Sequence, residues 1–357
     1  MKKIKLSPSA SAKWLNCPGS VKEEKKYQNK SNKYSVEGTI AHKLSEICLK
    51  QNKNPENFLN TKIKNFKISN EMILNVKKYI NYIKKYKNHD SLFFVEKQIT
   101  FEKNHYEGIG TLDACIISNN VCHIFDFKYG KGILVKAKNN SQLLLYAIGI
   151  LNFLNEKNID CHFFQMHIVQ PRKNNYDHFL IDINYLLKIK KEYQKKALLT
   201  LQENPQKIPG NIQCQWCLAK KNCLSLKKYL DSIVFDQFNN LEKIQTISDL
   251  QKKHILDNYD LIQNYMKTIK DEIYQKLKKG ENFYDYQIKK GKKYRKWKKG
   301  IENKIKNLYG NQLFCEKLIN ITEAEKIIDK QDLENYIEKN YSTDLLTKKE
   351  KDLKCLK

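Results

Sequence analysis

Two spacings of apolar residues alternate along the chain. In "SVEGTIAHKLSEICLK" (35–50), Ile40, Leu44, Ile47 and Cys48 recur at helical spacing. "NEMILNVKKYINYIKKY" repeats the pattern through Ile73, Val76, Ile80 and Ile83 and predicts a second helix. The run "SLFFVEKQITF" predicts a strand, and the mostly apolar stretch 108–132, "GIGTLDACIISNNVCHIFDFKYGKG", predicts a β-hairpin. A helix over "VKAKNNSQLLLYAIGILNFL", a strand over "DCHFFQMHIVQPR" and a helix over "YLLKIKKEYQKKALLTLQ" follow. Strands alternating with helices around one hairpin imply an α/β core with a mixed sheet. Beyond residue 230 strand-like runs thin out, and a long helix is predicted over about 249–279. Its stripe of Ile255, Tyr259, Ile262, Met266, Ile269, Ile273 and Leu277 reads as core packing, with Gly280 as a stop. The domains expected are therefore 1–230 and a mainly helical extension, 231–357, carrying a basic hairpin at "FYDYQIKKGKKYRKWKKG".

The 357 residues carry a net charge of +27, which points toward a polyanionic partner such as nucleic acid. Only Arg172 and Arg295 among the 66 basic residues are arginine, so codon bias toward lysine explains part of that charge. Arginine at those two positions implies a planar, bidentate group at each. In the basic hairpin, Tyr294, Arg295 and Trp297 make either a nucleic-acid contact or a solvated surface. The basic start and the Ala10–Ala12 triplet have no apolar stretch between them, and no run approaches a membrane span. A cytoplasmic location is expected, where ten cysteines favour metal ligation or inert burial over disulfides.

If Asn119 and Asn120 form a two-residue turn, Asp113 falls opposite Asp126 and Lys128 opposite Thr111 on one face of the hairpin. Leu112, Ala114, Ile116, Phe125 and Phe127 then share the other. Opposed carboxylates repel unless a cation sits between them. A hard ion, Mg²⁺ or Mn²⁺, resolves the conflict, with Lys128 placed to assist a water. A half-exposed hairpin with solvated Asp and Lys is the plain alternative. Downstream, Gln142 and Tyr146 stand at i and i+4 on one helix face. Upstream, "EGTIAH" offers His42 as a further ligand or phosphate contact.

His42, Gly110 to Asp113, Asp126 to Lys128 and Gln142 to Tyr146 together resemble, in order, the RecB-like branch of the PD-(D/E)XK nuclease superfamily. The resemblance implies a restriction-endonuclease-like mixed sheet flanked by helices and a metal-dependent deoxyribonuclease, most often an exonuclease. Asp113, Asp126 and His42 would hold the metal, Lys128 would be the catalytic lysine, and Gln142 and Tyr146 would bind substrate or support the site. Glu96 is either a further acidic residue of that site or a salt-bridged, solvent-facing one. Asp126→Ala is expected to abolish cleavage and leave the fold intact.

"CQWCLAKKNC" supplies Cys214, Cys217 and Cys223, three ligands where a tetrahedral site takes four. Cys17, in the turn-prone "WLNCPGS", is the best fourth. Cys48, Cys115, Cys122 and Cys161 fall on apolar positions and read as packing. One N-terminal cysteine with a cluster of three is similar to the iron-sulfur members of this branch, AddB-type subunits and CRISPR-associated exonucleases. There a [4Fe-4S] cluster staples both ends of the nuclease domain; on spacing alone zinc stays open. The string from "SPSASAKWLNCPGS" to "YRKW" also resembles an uncharacterised phage and prophage family of the branch. It implies a bacterial host, a role in DNA recombination, replication or repair, and a helicase, recombinase or single-strand-binding protein as partner. A non-catalytic DNA-binding scaffold of a recombination or packaging complex and a zinc-stabilised interaction protein are the rival readings.

Overall fold

Asn119 and Asn120 both adopt left-handed backbone, φ 49° and 61°, so the two-residue turn forms as its asparagines dictate. Ser118 pairs with Val121, and the predicted register runs down to Ala114 opposite Phe125. The computed structural model around this turn describes residues 3–28, 33–238, 249–284 and 286–288.

In chain order the elements begin β1 (Lys5–Leu6), α1 (Ser11–Trp14), α2 (Ser20–Glu24), α3 (Lys33–Gln51), β2 (Lys62–Ile63), β3 (Phe66–Lys67) and α4 (Asn70–Lys84). The sheet follows as β4 (Leu92–Glu102), β5 (Glu107–Ser118), β6 (Val121–Phe127), α5 (Ser141–Glu156), β7 (Phe163–Gln170) and β8 (Asn175–Asp182). The chain continues through α6 (Ile183–Leu199), α7 (Asn211–Gln215), α8 (Leu224–Phe238), α9 (Asp249–Asp257) and α10 (Tyr259–Lys278). Strands β5, β6, β7 and β8 lie side by side, β4 flanks β5 on its other edge, and β1 runs parallel to the start of β5. The β6 to β7 step is parallel and crosses through α5; the remaining long-strand pairs are antiparallel, giving the expected mixed sheet. Strand β8 was not legible beforehand, because "NYDHFLID" alternates weakly and half its side chains stay partly exposed.

Helices cover both faces. Leu143, Leu144, Leu151 and Leu154 of α5 pack with Cys115, Ile124, Phe164 and Met166 in one layer. Ile40 and Leu44 of α3 and Met72, Val76, Tyr79 and Ile83 of α4 pack with Ala114, Ile116, Phe125 and Phe127 in the other. Arg172 joins this second layer. Its guanidinium reaches Glu37 (3.5 Å) and Glu71 (3.1 Å) and lies 4.5 Å over the Tyr129 ring, a planar use that fits arginine at this position.

The predicted long helix is interrupted. Asn258 is buried between α9 and α10, its amide bonded to His254 O and accepting from Tyr229, so a side-chain network replaces helix continuity there. The predicted stripe is not core: none of its residues is buried, Tyr259, Met266 and Ile269 are exposed, and the buried positions of α10, Leu261 and Thr268, lie off it. The chain divides into two compact units, Met1–Asp271 and Glu272–Lys357, the described part of the second being the end of α10 and a bridge between Phe283 and Tyr286. Tyr294, Arg295, Trp297 and residues 300–357 lie outside the described residues. Among the described residues no helix is long and apolar enough to cross a membrane.

Under the second layer lies a polar chain. Tyr86 donates to Tyr82 (3.3 Å), Tyr82 meets His167 Nδ1 (3.1 Å), and His167 Nε2 faces His123 Nδ1 (3.2 Å). With Tyr82 donating to Nδ1, the proton of His167 belongs on Nε2. Burial, reinforced by His123 and His178, pushes His167 down to about 3. A folded value below the unfolded value of about 6.5 means that stability is fully present above pH 6.5 and is lost as pH falls toward 3. The loss is of the order of 5 kcal/mol. Urea titrations from pH 7 to 4 should show this slope flattened in His167→Gln; parallel slopes would remove His167 as its source.

Candidate functional site

The β5–β6 ladder ends one pair short of the aspartates. Beyond Ala114 and Phe125 the strands separate, and Asp113 Oδ2 accepts the Phe127 N–H at 2.6 Å in place of a ladder bond. The expected direct opposition of Asp113 and Asp126 is therefore corrected: one carboxylate serves as a backbone partner, which keeps the two from competing for the same space. Thr111 opposite Lys128 is likewise not formed.

A matching irregularity lies on the other side of β5. Val95 pairs with Ala114 and Lys97 with Leu112, while Glu96, at φ 50°, skips its pairing with Asp113. Both strands change facing there. Phe94 and Ile99 share a layer although five residues apart, as do Leu112 and Cys115 three apart, so Leu112 departs from the face predicted for it. A left-handed glutamate inside a strand stores strain of about 1–3 kcal/mol and turns its carboxyl toward α3. There one ligand atom each of His42, Glu96 and Asp113 lies within 4.8 Å of the other two. His42 Nδ1 is 3.0 Å from Asp113 Oδ1.

On the α5 side, Asp126 is buried, with Lys128 Nζ 2.8 Å from its Oδ2, close in distance though outside hydrogen-bond angles. Gln142 Nε2 donates to Asp126 Oδ1 (3.2 Å) and to the Tyr146 hydroxyl (2.9 Å), and its Oε1 accepts from Lys128 (3.0 Å). The predicted i, i+4 pair thus works as one unit. Asn140 caps α5 by accepting from the Gln142 and Leu143 N–H groups, fixing the turn from which Gln142 projects.

Gly110 explains itself at close range. A Cβ there would lie 2.5 Å from Pro8 Cγ and 3.2 Å from Tyr146 Cε1. Gly110→Ala is expected to cost about 1–3 kcal/mol by overpacking and to displace Tyr146 from Gln142. Unchanged denaturant midpoint and tyrosine environment would refute that contact.

Burial works against a charge on His42, but Asp113, then its hydrogen bond and Asp126, outweigh it and raise the imidazole to about 9. Burial, with help from Asp113, lifts Glu96 to about 7. Burial raises Asp126 although Lys128 opposes the shift; for Lys128 burial is outweighed by Asp126, so the ammonium is held charged. Glu96 and Asp126 crowd Asp113, and the protonated imidazole now supplies the positive charge that these carboxyls call for; a divalent cation in the cluster would take over that role and displace the His42 proton. Glu96 is the member that sequence reading left open, because the left-handed turn that aims it has no sequence signature.

The four cysteines line one cavity. Cys17, Cys214, Cys217 and Cys223 meet there although strands β4 to β8 lie in the chain between the first two. Protein contacts bring these segments together: Gly19 N donates to Gln206 O (2.8 Å), Leu218 N to Glu24 Oε1 (2.7 Å), and Lys207 pairs with Glu23 (2.6 Å). The sulfurs do not form a tight cluster. Among the described residues no three cysteine Sγ atoms come within 4.8 Å of one another, whereas a tetrahedral zinc site with Zn–S of about 2.3 Å needs about 3.8 Å. Burial pushes the Cys17 and Cys214 thiols up and Cys217 up to about 12. Cys48, Cys115, Cys122 and Cys161 are buried among core residues, with Cys115 and Cys122 Sγ 3.4 Å apart.

Two solved structures are similar to part of the chain. SSO0001 is 14% identical, with 63% of this chain and 88% of that one covered and a TM-score of 0.30. A candidate exonuclease from Eubacterium rectale is 14% identical, with 62% and 89% covered and a TM-score of 0.36. The family model described as "Protein of unknown function (DUF2800)" matches residues 4–351, and the chain belongs to that family.

Proposed function

We propose that the protein is a metal-dependent deoxyribonuclease of the RecB-like PD-(D/E)XK type, acting in phage or prophage DNA recombination, replication or repair. The observation that carries this reading is the junction of two groups on one splayed hairpin: His42, Glu96 and Asp113 within ligand distance, and the Asp126–Lys128–Gln142 unit beside them. The donor set, two carboxylates and one imidazole, fits Mn²⁺ or Mg²⁺, with Asp126 completing an acidic surround. When bound, the ion would polarise a phosphoryl oxygen and make an attacking water more acidic. The chain's own part is electrostatic: Lys128, held charged, faces the charge that develops on the phosphate, and Gln142 fixes both its position and that of Asp126. A solvated hairpin has no use for a buried Asp126, and this burial supports the catalytic reading over the plain alternative.

The cysteine cavity supports a second part of the proposal, a [4Fe-4S] cluster on Cys17, Cys214, Cys217 and Cys223. The convergence of four thiols from segments far apart in sequence supports this reading; their cavity is about 20 Å³, so a cluster would have to part the sulfurs to be seated. The decisive assay is cleavage of linear and circular, single- and double-stranded DNA by anaerobically purified protein, with Mn²⁺ or Mg²⁺ and with EDTA. EDTA-sensitive degradation is expected. Binding of DNA without cleavage under any of these conditions would favour the scaffold reading instead.

A further inference from the structure

Beside the Asp126–Lys128–Gln142 unit opens a cavity of about 590 Å³ whose wall includes Lys128 and Gln142 themselves. Its far wall is one face of α6: Tyr185, Ile189, Glu192, Tyr193 and Lys196 recur at helical spacing and all line it. The Tyr185 hydroxyl donates to Asn139 Oδ1 at 3.4 Å, which ties its ring across the cavity to the loop before α5. Lys196 is paired with Glu192 at 2.9 Å, leaving that wall close to neutral. The N-terminus of α5 is not an anion site, since Asn140 already accepts from its first N–H groups.

These features select among the parts of a polynucleotide. Of the two lysines in the lining, Lys196 lies on the far wall and Lys128 on the side of the proposed catalytic group; Lys128 is paired with Asp126 yet lines the cavity, and the phosphate is placed beside it. Tyrosine rings, Leu15, Leu144 and small hydroxyl and amide groups make up much of the rest, a surface suited to a sugar and a flat base. The volume is that of a site for one drug-sized ligand, about 300–1,000 Å³, and does not admit a base pair with its neighbours. In a duplex both faces of a base are occupied by stacking, so a base that meets Tyr185 has left the helix.

We infer that this cavity is a subsite for an unpaired nucleotide adjoining the phosphate at Lys128, its base stacked on Tyr185, so that the protein engages DNA as a single strand. The inference rests on the nuclease reading for its location but not for its test. Binding of a fluorescent oligothymidylate about twelve nucleotides long is measured by anisotropy in EDTA, beside a blunt duplex of equal length. The single strand should bind at least about tenfold tighter than the duplex. Tyr185→Ala should weaken it between about five- and a hundredfold, the range for losing one stacked base. Tyr185→Phe, which keeps the ring, should stay within about twofold of wild type, as should Leu187→Ala, exposed on the same helix outside the cavity. Equal affinity for duplex, indifference to Tyr185→Ala, or no saturable binding of the oligonucleotide would each overturn the subsite. The two readings fail separately. A protein that binds the single strand through Tyr185 but cleaves nothing with Mn²⁺ loses the nuclease and keeps the subsite; one that cleaves but ignores Tyr185 does the reverse.

Discussion

Asp113→Asn is expected to reduce Mn²⁺- or Mg²⁺-dependent DNA cleavage by about a thousandfold or more, because a metal's charge stabilisation is worth several kcal/mol and each 1.4 kcal/mol is tenfold. The melting temperature should move by only a few degrees. The amide keeps an oxygen where Asp113 Oδ2 accepts the Phe127 N–H, so the splayed hairpin survives while the charge next to His42 and Glu96 disappears. Asp126→Ala, the substitution that sequence alone recommends, is a poorer test. It removes the buried carboxylate from beside the half-buried Lys128 and cuts the bond from Gln142, a loss that stays below the roughly 3–5 kcal/mol of a fully buried pair because solvent reaches Lys128. Loss of activity there would mix chemistry with unfolding, contrary to the expectation of an intact fold. If Asp113→Asn, folded as judged by its melting curve, cleaves within tenfold of wild type, the nuclease reading fails.

Cys217→Ser is expected to abolish the brown colour and iron content of anaerobically purified protein and to lower its melting temperature sharply. Structural metal sites contribute folding energy directly, about 10 kcal/mol or more in zinc-finger peptides. The fall here should be smaller than that, because Gly19–Gln206, Leu218–Glu24 and Lys207–Glu23 contacts join the two segments independently of any metal. Cys17→Ser should behave like Cys217→Ser, whereas Cys48→Ser, away from the cavity, should keep colour and iron. Stoichiometric zinc in a colourless wild type would replace the cluster by zinc; wild type without either metal would leave the cavity as four packed thiols.

The sequence by itself determined the mixed α/β core, the two-asparagine turn, the hairpin register down to Ala114–Phe125 and the Gln142–Tyr146 pair. Each is a local matter, since helical and strand periods and the left-handed tolerance of asparagine act over a few residues. Medium-range features were legible only in part. The break at Asn258 comes from its bond with Tyr229, and α10 buries Leu261 and Thr268 rather than its predicted stripe because another segment decides which side is covered. Tertiary structure alone decided the site's geometry. Glu96 enters it through one left-handed residue in β4, Asp113 leaves the ladder to accept a backbone N–H, and Asp126 meets Lys128 under α5. Such arrangements depend on where strands separate and which helix closes over them, and those are set by packing between segments far apart in sequence, which local spacing does not record.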